Sequence, residues 1–271
     1  MIAVIFIADT LESMQHLILL LGRYPLMHLT LFQLVCFAVL VSVSLASGCS
    51  SEKQALEGGQ STYIDHSDES RPSVSLSPRL SKNTILVVGD SLSAAYKMPI
   101  ERGWVSLLTK ELELACPEVS VLNASISGET TSGGIARLPA LLAESQPQLV
   151  LLQLGANDGL QGKPVAAISA NLQRMIDQIE EFGAETVLIG IRLPPNYGVR
   201  YTKPFFAQFA TLAERNDLAS VPFLLEPVAT NNEYKQADGL HPNAAAQPLV
   251  LEHVKPYLKT SLDQVFGCKL G

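Results

Sequence analysis

Two short segments of the sequence could together carry out nucleophilic chemistry. Gly89-Asp90-Ser91 offers a serine hydroxyl, and Asp238 precedes His241 by three residues in Asp238-Gly239-Leu240-His241. A serine hydroxyl is a weak nucleophile that needs a neighbouring histidine base, and the histidine needs a carboxylate to hold its tautomer. We therefore predict Ser91 as the nucleophile, His241 as the general base and Asp238 as the residue that orients it.

Each segment also has a purely structural interpretation. Ser91 could cap a helix, and Asp238-Gly239 could form an ordinary turn in front of a helix that begins near Asn243. The other histidine of the globular part, His253, falls inside that helix and is a poorer candidate. The sequence contains no Gly-x-Ser-x-Gly motif, so it does not support the α/β-hydrolase fold.

Apolar periodicity predicts the elements that must position these side chains. Short β-branched runs predict five strands, Thr84–Gly89, Val119–Asn123, Leu149–Leu154, Thr186–Ile191 and Val221–Leu225. Helical spacing predicts the intervening helices, Trp104–Leu114, Ile135–Ser145, Val165–Phe182, Phe205–Arg215 and Ala244–Leu258. Alternating strands and helices indicate the α/β class, with a parallel sheet covered on both faces.

The candidate residues follow the ends of different strands. Ser91 follows the first strand, Asn157 the third and His241 the fifth. Ligands of open α/β sheets bind at the carboxyl ends of the strands, so we expect these side chains to meet at one edge.

Composition excludes several function classes. The 271 residues are 47% hydrophobic, enough for one large core, and the net charge of -7 argues against nucleic acid as a partner. The chain has four cysteines and no Cys-x-x-Cys, so no zinc or thioredoxin-like site is indicated. Cys116 and Cys268 could form a disulfide, and the sequence leaves that pairing open.

The N-terminal part has the features of an export signal. Residues 29–46 carry no charge, and small residues follow in Ala46-Ser47-Gly48-Cys49, which looks like a bacterial lipobox with Cys49 as the lipidated residue. An uncleaved transmembrane anchor and cleavage to a soluble product are the alternatives. Residues 1–48 are predicted as the signal, and translation could begin at Met14 or Met27 because the first residues lack the usual basic region.

A polar segment follows the predicted signal. Residues 49–82 are rich in Ser, Glu, Gln, Gly and Asp and show no periodicity, which predicts a flexible tether. We expect an exported protein at the periplasmic face of the envelope, held as a lipoprotein or else soluble in the periplasm. Ser50 after the cysteine, in place of Asp, favours the outer membrane.

Four blocks in order resemble the SGNH, or GDSL, hydrolases. They are Gly89-Asp90-Ser91, Asn123-Ala124-Ser125-Ile126-Ser127-Gly128, Gly155-Ala156-Asn157-Asp158 and Asp238-Gly239-Leu240-His241. Further segments, such as Ile191-Arg192-Leu193-Pro194, look like the bacterial multifunctional thioesterase I/lysophospholipase/arylesterase branch. The likeness extends from Asn83 to about Leu258.

The resemblance implies a fold and a set of roles. Residues 83–271 would be the hydrolase domain, a three-layer α/β/α fold with a five-stranded parallel sheet in flavodoxin-like order. The backbone N–H groups of Ser91 and Gly128, with the Asn157 amide, would form the oxyanion hole. A mobile loop, Gly159–Pro164, would cover an acyl groove, with Gly159, Leu160 and Leu193 as substrate-binding residues.

The activity that the resemblance implies is hydrolysis of acyl esters and thioesters, including lysophospholipids, through an acyl-enzyme. It needs no metal and no organic cofactor. An O-acetyl esterase acting on cell-envelope glycans is the alternative, because the same triad would serve it equally well. A catalytically idle lipid-binding lipoprotein is a third possibility.

Overall fold

The computed structural model describes residues 83–270. The predicted export signal, its alternative start sites, the tether and Cys49 lie outside these described residues.

Five strands and six helices alternate along the described chain. The strands are β1 (Asn83–Gly89), β2 (Val119–Asn123), β3 (Leu149–Gln153), β4 (Glu185–Ile189) and β5 (Ala219–Val221). The helices are α1 (Trp104–Ala115), α2 (Thr131–Ser145), α3 (Ala156–Leu160), α4 (Val165–Phe182), α5 (Val199–Arg215) and α6 (Gln247–Phe266). Three short 3-10 turns, Ile100–Arg102, Pro195–Tyr197 and Asn232–Tyr234, complete the loops.

The strands form one parallel sheet in the order β2-β1-β3-β4-β5. This is the flavodoxin-like order of doubly wound sheets. The predicted α/β class, the parallel sheet and its five strands are confirmed.

Both faces of the sheet are covered, because successive side chains of a strand point to opposite faces. Ile85 and Val87 of β1 pack with residues of α1 and α6 in one cluster. Leu86 and Val88 pack with residues of α2, α4 and α5 in the other. The result is three layers, with α1 and α6 on one side of the sheet and α2, α4 and α5 on the other, where Ala156 and Leu160 of the short α3 also pack.

The predicted fifth strand was displaced along the chain. It was expected at Val221–Leu225, but the regular pairing ends at Val221, because the Gly190 carbonyl accepts the N–H of Leu224 at 3.0 Å in place of that of Phe223 and the register is lost. Phe223 and Leu224 are nevertheless buried in the core, and this burial produced the strand-like pattern. Gly190 permits the close passage of this segment, since a Cβ there would lie 2.1 Å from the Pro222 carbonyl oxygen.

Three helix boundaries also differ from expectation. The last helix begins at Gln247 and continues to Phe266, because the Asn243 side chain closes a separate turn by accepting the N–H groups of Ala245 and Ala246. The helices expected from Ile135 and Phe205 begin earlier, at Thr131 and Val199. The first turns were not predicted because glycines near the start of α2 and Pro204 in α5 are unfavourable in helices.

The structure pairs Cys116 with Cys268 in a disulfide, with the Cα atoms 5.9 Å apart. Cys116 directly follows α1, and Cys268 lies just beyond α6. The bond therefore ties the C-terminal segment to the adjacent helix across a separation of 152 residues.

We expect reduction of this disulfide to lower the free energy of unfolding by about 2 to 5 kcal/mol, because a crosslink over a long loop restricts the unfolded chain. The measurement is the thermal midpoint with and without dithiothreitol. The double variant Cys116→Ser, Cys268→Ser is the control and should melt at the lower temperature regardless of the reductant. An equal midpoint for oxidised and reduced wild type would contradict a stabilising role.

Candidate active site

Ser91 lies in a tight turn directly after β1. Asp90 is fully buried, and its side chain accepts the N–H of Leu92 at 3.0 Å. Its backbone carbonyl accepts the N–H groups of Ser93 and Ala94 at 3.1 and 3.0 Å. These bonds fix the direction in which the Ser91 hydroxyl leaves the sheet edge.

The ends of β3 and β2 hold the same turn. Gln153, the last residue of β3, accepts the N–H of Asp90 at 3.3 Å and the hydroxyl of Ser93 at 2.7 Å. Asn123, the last residue of β2, donates its side-chain amide to the Ser93 carbonyl at 2.9 Å. The position of Ser91 therefore depends on three adjacent strands.

The loop between β5 and α6 brings a histidine to this hydroxyl. His241 Nε2 lies 2.8 Å from Ser91 Oγ, and His241 Nδ1 lies 2.8 Å from Asp238 Oδ2. Asp238 Oδ1 also accepts the N–H groups of Leu240 and His241 at 2.9 and 3.0 Å. The turn between them uses Gly239 at φ 69°, in the left-handed region that favours glycine.

Asp238 is held in its ionised form. Its partial desolvation acts to raise the pKa of the carboxyl, but the hydrogen bonds from the backbone N–H groups of His241 and Leu240 and from the His241 ring outweigh it. Together they lower the pKa of Asp238 to about 2. The carboxylate can therefore hold Nδ1–H of His241 and leave Nε2 free to accept a proton.

Sequence reasoning missed two residues that support the histidine. The Tyr96 ring packs on the His241 ring with centroids 4.5 Å apart. Gln236 donates its side-chain amide to the carbonyls of Tyr96 and Pro242, at 2.8 and 3.0 Å, and so joins the serine loop to the histidine loop. Neither residue stands in a recognisable motif, so only the contacts reveal them.

The three predicted oxyanion donors come from three different strand ends. Within residues 83–270 the backbone N–H groups of Ser91 and Gly128 donate to no acceptor, which leaves them available to a ligand. Gly128 adopts φ 84°, which favours glycine. Asn157 lines the same cavity as Ser91, and its side-chain amide donates to the Glu129 carbonyl at 2.8 Å.

A small cavity of about 70 Å³ opens at the serine, lined by Ser91, Asn157 and His241 together with apolar side chains. A larger groove of about 450 Å³ adjoins it on the side of the β4 and β5 loops. The wall common to both includes Leu193, Phe223 and Leu240. The surface leading away from the serine is thus largely apolar.

The predicted substrate-binding residues occupy different places. Leu160 and Leu193 line the small cavity. Gly159 is buried and is not among its lining residues, because Phe205 and Leu193 lie where a side chain would be, at 2.6 and 2.8 Å from an added Cβ. His253 is the second histidine within residues 83–270, and its Nε2 lies 3.0 Å from the Phe223 carbonyl oxygen.

Residues 83–270 contain neither a cluster of metal ligands nor a helix that could span a membrane. No group of three His, Cys, Asp or Glu side chains in it could hold a metal ion. Among helices α1 to α6, none is long and apolar enough to cross a membrane.

A serine hydroxyl, an imidazole and a carboxylate in one hydrogen-bonded chain, at the carboxyl edge of a parallel α/β sheet, are the arrangement of a serine hydrolase. The chain belongs to the GDSL-like lipase/acylhydrolase family, whose model matches residues 87–248, more than half of its length. The predicted family and the ester hydrolase class are confirmed.

Named relatives agree with this assignment. The chain is 51% identical over 170 residues to an arylesterase of Vibrio mimicus, covering 63% of this chain and 85% of that protein. It is 41% identical over 177 residues to thioesterase 1/protease 1/lysophospholipase L1 of Escherichia coli, covering 65% of this chain and 84% of that protein. The crystal structure of TesA matches with a TM-score of 0.64 at 49% identity, covering 66% of this chain and 99% of that one.

Asp90 generates a prediction for stability. Burial raises the pKa of its carboxyl from 3.8 to about 6, although the Leu92 N–H and the Gln153 side chain partly offset the effect. Between these pH values the folded protein holds a proton that the unfolded chain has released, so rising pH favours unfolding. The contribution of protonated Asp90 to the free energy of unfolding is complete below about pH 4 and is lost as the pH rises above about 6.

We expect wild type to lose roughly 3 kcal/mol of unfolding free energy relative to Asp90→Asn between about pH 4 and about pH 7. The amide retains an acceptor for the Leu92 N–H and cannot ionise, so the comparison isolates this carboxyl. Urea unfolding of both proteins across that pH range is the measurement. Parallel profiles would show that Asp90 does not titrate in this way.

Proposed function

We propose that this protein hydrolyses acyl esters and thioesters through an acyl-enzyme on Ser91. The main support for this proposal is a pair of 2.8 Å hydrogen-bond contacts, one between Ser91 Oγ and His241 Nε2 and one between His241 Nδ1 and Asp238 Oδ2. This geometry supports proton transfer from the hydroxyl to Nε2 without rearrangement, because donor and acceptor are already within hydrogen-bond distance.

In the first half-reaction Ser91 Oγ attacks the acyl carbonyl carbon while His241 Nε2 takes the hydroxyl proton. The ionised Asp238 stabilises the resulting imidazolium. The oxyanion accepts the N–H groups of Ser91 and Gly128 and the Asn157 amide. His241 then gives its proton to the leaving oxygen or sulfur, and the carbon–heteroatom bond breaks.

In the second half-reaction water replaces the leaving group. His241 accepts a proton from the water as its oxygen attacks the acyl carbon, and returns that proton to Ser91 Oγ as the acid departs. In both half-reactions Ser91, His241 and Asp238 act on the substrate and on one water molecule.

The surroundings of the serine support an acyl chain longer than acetyl. The small cavity at Ser91 shares Leu193 and Leu240 with the adjoining groove of about 450 Å³, and most of the groove's lining is apolar. The names of the relatives, an arylesterase and a thioesterase/lysophospholipase, support ester and thioester substrates of this kind. The O-acetyl esterase alternative would leave this groove without an occupant.

A chain-length series on the purified protein tests the proposal. We expect kcat/KM to rise at least tenfold from acetyl to octanoyl esters, since each buried CH₂ contributes about 0.8 kcal/mol. An octanoyl thioester should also be cleaved. A preference for acetyl esters would instead favour the O-acetyl esterase.

Two variants complete this experiment. Ser91→Ala should lose turnover on the order of 10⁶-fold, by analogy with serine proteases, and should no longer react with a fluorophosphonate probe. His253→Ala is the control for loss of a histidine, because His253 lies in α6 and its ring does not contact Ser91, so turnover should stay close to that of wild type. Retention of a tenth of the activity by Ser91→Ala would end the nucleophile assignment.

We also propose that the protein is exported and anchored through Cys49 to the periplasmic face of the outer membrane. The uncharged run of residues 29–46 and the lipobox-like Ala46-Ser47-Gly48-Cys49 support this location. The Cys116–Cys268 disulfide independently supports export, because such bonds persist in oxidising compartments. Residues 49–82 would let the catalytic domain reach substrates near the membrane.

We expect wild type to fractionate with membranes and Cys49→Ser to be depleted there, because several acyl chains anchor a protein stably. Mass spectrometry of the mature N-terminus should find a lipidated Cys49. A wild-type protein with an unmodified cysteine would refute the anchor and leave the esterase proposal intact.

A further inference from the structure

Asp158 is a buried carboxylate that the proposed reaction does not use. It is fully buried and directly follows Asn157 in α3. Its Oδ2 accepts the N–H of Thr131 at 2.7 Å, and its Oδ1 accepts the Thr131 hydroxyl at 3.1 Å. Lys163 Nζ donates to Oδ1 at 2.9 Å. These partners lie at the start of α2 and in the segment that follows α3.

The carboxylate is strongly attached to its surroundings. A buried charge is unfavourable unless it is paired and hydrogen-bonded, so loss of any donor carries a large penalty. Thr131 is the first residue of α2, and a negative charge at a helix N-terminus is further stabilised by the helix dipole. Asp158 therefore holds the start of α2 and its own helix in a fixed relation.

The two neighbours Asn157 and Asp158 both bind the same short stretch of chain. The Asn157 amide donates to the Glu129 carbonyl, and the Asp158 carboxylate binds Thr131 two residues further on. Gly128 immediately precedes this stretch. The bonds from Asn157 to Glu129 and from Asp158 to Thr131 therefore hold the segment after Gly128 against α3. They thereby limit the distance between the Asn157 amide and the Gly128 N–H.

Lys163 extends the connection to the loop between α3 and α4, which is residues 161–164 because Gly159 and Leu160, expected in this loop, belong to α3. Its side chain is about one-third exposed, while the carboxylate that it contacts is almost inaccessible. Tyr201 donates its hydroxyl to the Lys163 carbonyl at 2.6 Å, and Tyr197 donates to the Leu160 carbonyl at 3.0 Å. The loop beside Leu160 is therefore attached to the same carboxylate that binds α2.

We propose that Asp158 is a positioning residue that sets the spacing of the oxyanion donors Gly128 and Asn157, with Lys163 as the partner that holds its carboxylate in place. The inference rests on the proposed oxyanion role of Asn157. Asp158 itself does not touch the substrate. It acts on catalysis through Asn157, so a change at Asp158 should lower kcat and leave KM nearly unchanged.

The test is a double-mutant cycle with Asp158→Asn and Asn157→Ala, measured as kcat and KM on a short soluble ester. Asn157→Ala should lose about 10² to 10³ in kcat, as for one oxyanion donor. Asp158→Asn should lose about tenfold or more in kcat with KM nearly unchanged, because the misplaced donor acts mainly in the transition state. The double variant should be no slower than Asn157→Ala within about twofold, since residues that act as a unit are not additive.

Lys163 provides a second readout. Lys163→Met should lower kcat several-fold, and Lys163→Arg should restore it by returning the positive charge. Lys203→Met, at an exposed lysine of the neighbouring helix, is the matched control and should retain the wild-type kcat. Thermal unfolding checks that each protein is folded. If Asp158→Asn does not fold, Thr131→Val removes one bond to the carboxylate and takes its place in the cycle.

Three outcomes would contradict the proposal in whole or in part, and they are distinguishable. Multiplying losses in the double variant, with Asn157→Ala itself impaired, would mean that Asp158 acts independently of the oxyanion donors. A fully active Asn157→Ala would refute the oxyanion role of Asn157 and with it this inference. A Lys163→Met variant with unchanged kcat would remove the counter-ion from the proposal and contradict it in that part.

Discussion

The register of β1 against its two neighbours is the constraint on which the site depends. Val87 pairs with Asn123 and Gly89 with Gln153, so the chain leaves three adjacent strands within a few residues of one another. The serine turn, the Gly128 segment and the Asn157 helix begin at these exits. A slip of one residue would turn each side chain to the opposite face and would separate Gln153 from the amide of Asp90.

Three carboxylates near the site differ because their surroundings differ. Asp90 is buried with few donors, so desolvation dominates and the pKa of its carboxyl rises to about 6. Asp238 lies at the rim, where two backbone N–H groups and an imidazole hold it ionised. Asp158 is as buried as Asp90 but has two donor groups of Thr131 and an ammonium. The hydrogen-bond donors around each carboxylate therefore account for the different roles proposed for Asp238 and Asp158.

The cavity at the serine depends on a residue that does not line it. Gly159 has no side chain, and Leu193 and Phe205 occupy the space where one would be. Leu193 thereby reaches the wall between the small cavity and the groove. A larger residue at 159 would displace Leu193 and change the shape of this wall. Gly159 therefore acts on the cavity through packing.

The sequence by itself determined the class of fold and the family, and it predicted the residues of the proposed triad. Buried parallel strands are continuous apolar runs, and the blocks around Ser91, Asn157 and His241 are local patterns that follow strand ends. Element boundaries near Pro222 and Asn243 were misplaced, because burial of a loop and capping of a turn mimic a strand and a helix start. The tertiary structure alone decided the disulfide, the support of His241 by Tyr96 and Gln236, and the attachment of Asp158 to Thr131. Each of these joins segments far apart in the chain or outside any motif, and contacts of that kind are set by how the layers pack rather than by local residue spacing.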